Sequence, residues 1–113
     1  MKSPLPKEAY YKNAEIYRVM ANPKRLEILN LLAIWEMSVD EIAEALRISK
    51  ANVSQHLALL RQTRLVVVRR KGLNAFYKIT DPRIVKPCHI FHDLLRKNLI
   101  QVSIPEIRPS VTL

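Results

Sequence analysis

The apolar positions along the chain predict four helices, then a pair of strands, then a last helix. From Glu8 to Met20 the larger apolar residues are Ala9, Tyr10, Ile16, Tyr17 and Met20, which reads as a first helix. Asn22-Pro23 marks the next start, with Asn as N-cap and Pro at the first helical position. Leu26, Ile28, Leu29 and Leu32 give that helix, which is expected to run to about Trp35, its buried side. Ser38-Val39-Asp40-Glu41 is a capping box: the hydroxyl can accept from an orphan amide while the glutamate reaches back. The two acids also sit at the positive end of the helix dipole, and Val39, Ile42, Ala43 and Leu46 follow at helical spacing. After a break at Arg47-Ile48-Ser49, Ser49 can cap a fourth helix reaching Gln62, with Val53, Leu57 and Leu60 as its apolar stripe.

From Leu65 the period becomes that of strands. Leu65–Arg70 and Ala75–Thr80 flank Lys71-Gly72-Leu73-Asn74, a turn built on the only glycine. Asp81-Pro82 opens a last helix whose stripe is Ile84, Cys88, Phe91, Leu95 and Leu99. Pro87 removes a hydrogen bond there, so the helix must either kink or begin near it. Two short serine-capped helices joined by a tight turn match a helix-turn-helix, and the hairpin behind them is a wing. The expected fold is therefore α+β and mostly helical: one winged helix-turn-helix domain over 1–113. Its core covers 8–80, a C-terminal dimerisation helix 81–100, and an extended or disordered tail 101–113.

Composition narrows the function. The chain has 113 residues and is 49% hydrophobic, enough for one modest core, and so small a domain gains from burying more surface in a dimer. Mean hydropathy is −0.06, no apolar run approaches membrane-spanning length, and Met1–Lys7 lacks the apolar run of a secretory signal. A cytoplasmic protein with no membrane partner is expected. The single cysteine, Cys88, excludes an intrachain disulfide and a four-cysteine zinc site within one chain. A net charge of +9 favours a polyanion, nucleic acid ahead of an anionic membrane. The placement matters more: Ala45 to Thr80 holds eight Lys or Arg and no acid.

With its apolar stripe turned inward, the fourth helix would present Lys50, Asn52, Ser54, Gln55, His56 and Arg61 outward. Asn52 and Gln55 can pair bidentately with adenine, and Ser54 can donate or accept. Lys50 and Arg61, near the helix ends, suit phosphates. In the hairpin, Arg69, Arg70, Lys71 and the less certainly placed Lys78 could straddle a backbone or enter the minor groove. The competing reading of both sets is an ordinary solvated face and charged strand edges.

The run Ile48-Ser49-Lys50-Ala51-Asn52-Val53-Ser54-Gln55-His56-Leu57, followed by Leu65-Val66 and Arg69-Arg70-Lys71-Gly72, resembles the ArsR family of winged-helix repressors. Met20-Ala21-Asn22-Pro23-Lys24-Arg25-Leu26-Glu27-Ile28-Leu29 resembles the same family upstream. The resemblance implies a homodimeric regulator that binds palindromic double-stranded operators and in many members releases them on a metal or redox signal. Three departures stand out: Arg47 and Arg64 occupy turn positions where the family commonly has glycine, and Leu73-Asn74 replaces the usual basic residue after the wing glycine. The family's third-helix thiolate site would fall on Ser38 and Asp40, and its last-helix zinc site on Asp81, Arg83, Leu94 and Lys97. Neither ligand set is met, and no cofactor is expected.

Cys88 and His92, four residues apart, share a helix face. Three roles stay open for them: core packing, a metal site made by two copies across a twofold axis, or thiol redox sensing. As a nucleophile–base pair they lack an orienting third group, and no glycine-rich phosphate loop is present, so an enzyme is not expected. The rival functions are a winged-helix module that docks an acidic protein and a constitutive DNA-binding protein without a ligand.

Overall fold

The structure, a computed structural model, describes residues 1–104. The tail expected at 101–113 therefore lies outside the described residues beyond Ile104. In chain order the elements are α1 (Lys7–Met20), α2 (Pro23–Leu32), α3 (Val39–Leu46), α4 (Lys50–Gln62), β1 (Val66–Lys71), β2 (Asn74–Ile79), a 3-10 turn (Pro82–Val85) and α5 (Lys86–Arg96).

The helix starts are set by the caps the sequence carries. The Asn22 side chain accepts from the Arg25 amide ahead of α2, and Ser49 accepts from the Asn52 amide ahead of α4. At α3 both halves of the capping box form: Ser38 Oγ accepts from the Glu41 amide at 3.1 Å, and Glu41 Oε1 accepts from the Ser38 amide at 2.9 Å. Asp81 caps the 3-10 turn, and Pro87 falls in the first turn of α5, where its missing N–H costs nothing. Of the two options for Pro87, the structure takes the late start.

Three helix ends share one device. Arg47, Arg64 and Asn98 have φ of 56°, 59° and 59°. The amides one residue further on, of Ile48, Leu65 and Leu99, return to the carbonyls of Ala43, Leu60 and Leu94. This is the Schellman closure, in which a left-handed residue lets the chain satisfy carbonyls that the helix leaves open. Arg47 and Arg64 thus keep the left-handed backbone that glycine would hold without strain.

Several boundaries differ from expectation, among them the last helix, which spans Lys86–Arg96 within the expected 81–100. The second helix ends at Leu32 rather than near Trp35; just past it the Leu31 carbonyl accepts from both the Ile34 amide at 3.1 Å and the Trp35 amide at 3.0 Å, a shared bond typical of a helix end. The chain then runs extended, and Met37 exchanges two backbone hydrogen bonds with Tyr77 at 3.0 and 2.8 Å, adding a one-residue third strand beside the hairpin. Both strands also sit one residue closer to the turn than expected. Lys71 pairs with Asn74, leaving a two-residue connection, Gly72-Leu73, with positive φ at the glycine alone. A glycine first in a two-residue hairpin is the type II′ pattern, which matches the strand twist.

The core draws on α2, α3, α4 and the base of the hairpin. Ile28, Leu29, Ile42, Val53, Leu57, Leu60 and Val66 are its fully buried members. The expected stripe of α4 is thus the one buried, which fixes which side of that helix faces out.

Candidate nucleic-acid interface

α4 packs against α3, α2 and the first strand of the hairpin. Its outer side presents Lys50, Asn52, Ser54, Gln55 and Arg61, all exposed. His56 is different: it is half-buried, and its Nδ1 lies 3.4 Å from Nη1 of Arg25 in α2. Burial, followed by the Arg25 charge, holds its pKa below the ordinary histidine value. Sequence reasoning placed His56 among the outward residues but missed Arg25, whose partner is 31 positions away.

The wing is basic on both faces. Register puts Arg69 opposite Phe76, Lys71 opposite Asn74 and Lys78 opposite Val67, so Arg69, Lys71 and Lys78 share one face. Arg70, opposite Ala75, points to the other. Arg70, Lys71, Gly72, Leu73 and Asn74 are all exposed, with Leu73 at the apex. Among the described residues no acid forms an ion pair with Arg70 or Lys71.

Two cations of the expected interface carry acidic partners. Lys50 Nζ lies 3.3 Å from Asp40 Oδ1, with both side chains largely exposed. Arg69 grips Glu36: Nη2 and Nε donate to Oε2 at 2.8 and 3.1 Å. The Arg69 guanidinium also lies 5.3 Å from the Phe76 ring centroid. The Glu36–Arg69 hydrogen bonds, followed for Arg69 by the carboxylate's charge, lower the pKa of Glu36 and raise that of Arg69. No signal in the sequence joined residues 36 and 69.

Away from this surface, α1 and α5 border an apolar groove of about 460 Å³ lined in part by Tyr17, Met20, Cys88, Phe91, His92 and Leu95. Cys88 and His92 thus share a groove, as their spacing implies. Cys88 is half-buried and its Sγ accepts a 3.8 Å contact from Asn30. Among the described residues no helix is long and apolar enough to cross a membrane.

Serine-capped α3 and α4 with a hairpin directly behind them define a winged helix-turn-helix. The family model for "Bacterial regulatory protein, arsR family" matches residues 22–68. The chain is 41% identical over 81 residues to the HTH-type transcriptional regulator KmtR of Mycobacterium tuberculosis, a match that covers 72% of this chain and 62% of KmtR. It is 35% identical over 83 residues to the transcriptional activator HlyU of Vibrio cholerae, covering 74% of this chain and 77% of HlyU. The solution structure of the homodimeric winged helix-turn-helix DNA-binding domain Mb0332 of Mycobacterium bovis is similar at a TM-score of 0.72 and 27% identity, covering 91% of this chain and 100% of that one. This chain belongs to the arsR family of bacterial regulatory proteins. That family and this fold are those of transcription regulators, not of enzymes. The chain spans less than two thirds of KmtR.

Proposed function

We propose that the protein is a cytoplasmic, homodimeric regulator that binds palindromic double-stranded DNA and represses transcription. The observation that carries this reading is the exposed polar side of α4 set beside an acid-free, basic wing tip. α4 would lie in the major groove with Asn52, Ser54 and Gln55 at base edges. Lys50, Arg61, Arg70 and Lys71 would take phosphates and release counterions. His56 and Arg69 belong to the same surface, each through a partner, Arg25 and Glu36 respectively.

Dimerisation is supported by the apolar surface that α1 and α5 leave open: Tyr17 is 57% exposed, Phe91 53% and Ile90 53%. Mb0332, similar over most of the chain, is described as homodimeric. A dimer built there would set its two α4 helices about 34 Å apart, one turn of duplex. A thiol or metal signal would act at the same junction, where Cys88 and His92 line the groove. Titrating a labelled random-sequence duplex from low to high salt tests the reading. Binding that weakens steeply with salt supports it. Absence of binding at low salt, with capture of an acidic protein instead, favours the protein-docking alternative.

A further inference from the structure

Resting on that DNA-binding reading, we propose that Glu36 competes with DNA phosphate for Arg69 and so sets how much of the wing's charge the duplex receives. Glu36 belongs to neither the helix-turn-helix pair nor the wing. It lies in the connection between α2 and α3 and is brought to the hairpin by the Met37–Tyr77 backbone pairing beside it. From there its carboxylate meets the Nε/Nη2 edge of Arg69, with Nη2 donating at 2.8 Å and Nε at 3.1 Å to one oxygen and Nε at 3.4 Å to the other. Phe76 covers the guanidinium at 5.3 Å.

The fork of an arginine fits a carboxylate and a phosphate alike. On Arg69 one edge is already filled, and a phosphate approaching the other edge also meets the charge of Glu36. Lys71 and Lys78 lie on the same face of the hairpin and keep that face attractive to a polyanion. The pair lies within reach of a duplex, its side chains 49% and 35% exposed, but while the carboxylate holds that edge Arg69 makes no full phosphate contact. Lys50 and Asp40 repeat the arrangement more loosely, through one 3.3 Å contact at higher exposure. Glu36 lies in the α2–α3 connection and Asp40 in the first turn of α3, but of the two only Glu36 holds its cation by more than one bond.

The test uses the full chain and a random-sequence duplex, with affinity followed by fluorescence anisotropy between 50 and 200 mM salt. E36Q keeps the shape of the side chain and removes its charge. It is expected to bind more tightly and to steepen the slope of log K against log salt by about 0.9, the contribution of one more phosphate contact. Its advantage over the parent then shrinks about threefold across that salt range. E36A is expected to behave the same way, and circular dichroism checks that both variants fold. In an R69Q background, E36Q is expected to leave the slope unchanged. An E36Q slope equal to the parent's overturns the proposal. So does an equal steepening in the R69Q background, which would reflect the general loss of a negative charge. If the parent itself does not bind duplex at 50 mM salt, the DNA-binding reading falls first; if the parent binds and E36Q superimposes on it, only the role of Glu36 falls.

Discussion

Arg25 ties His56 to the end of α1: its Nε donates to the Val19 carbonyl while its Nη1 lies 3.4 Å from His56 Nδ1. A guanidinium is always protonated and only donates. Nδ1 must therefore accept, and the neutral ring carries its proton on Nε2. One arginine thus fixes the tautomer of a histidine on the helix proposed to read DNA.

This contact carries a pH dependence. Burial and then the Arg25 charge lower the pKa of His56, so the folded chain prefers the neutral ring. The associated stability is present above the unfolded histidine value of about 6.5 and is lost as pH falls through the lower folded value. An NMR titration is expected to place the His56 midpoint below 6.5, and Arg25→Met to move it upward. A midpoint at or above 6.5 in the parent would remove the argument.

Gln55 is exposed on the outer side of α4, where bidentate pairing with adenine is open to it. Gln55→Ala is expected to relax base preference at one position by about 1–3 kcal/mol. Competition with single-base operator variants reads this directly, and an unaltered preference profile would exclude Gln55 from base recognition.

The left-handed residues give a stability prediction. Arg47 and Arg64 stand at φ of 56° and 59°, where a side chain costs roughly 1 kcal/mol that glycine avoids. Arg47→Gly and Arg64→Gly are each expected to raise unfolding stability by up to about 0.5 kcal/mol, since the added freedom of the unfolded glycine chain offsets much of the gain. Urea denaturation checks it; a loss of stability would mean that the arginine side chains contribute more than the backbone strain they impose.

Phe91 is 53% exposed beside the α1–α5 groove. Phe91→Glu is expected to convert dimer to monomer at micromolar concentration with helical content retained, because an unpaired carboxylate would be buried in the interface. Light scattering after gel filtration measures the mass. A variant that remains dimeric would place the interface elsewhere.

Local chemistry made much of this legible in the sequence. Asn22, Ser38 and Ser49 each cap the helix they were expected to cap, because a cap depends on residues three or fewer positions away; Asp81 instead caps a 3-10 turn, and the last helix begins after it at Lys86 with no side-chain cap. The stripe Val53, Leu57, Leu60 told which side of α4 faces inward. Hidden were contacts between residues distant in sequence: Glu36 with Arg69, Arg25 with His56, and Met37 with Tyr77. Periodicity carries no information about such pairs. The strand bounds moved one residue toward the turn for a related reason, since turn length depends on whether Lys71 and Asn74 pair, while Arg70 still pairs with Ala75.

Because Met37 is stitched to Tyr77, the finger cannot swing on its two strands alone; it is anchored to the segment that leads into α3. The finger and α4, the helix proposed to read the groove, are then expected to move together. A rotation of one protomer against the other would disengage both from a duplex at once, so release would come in a single step rather than by the wing letting go first.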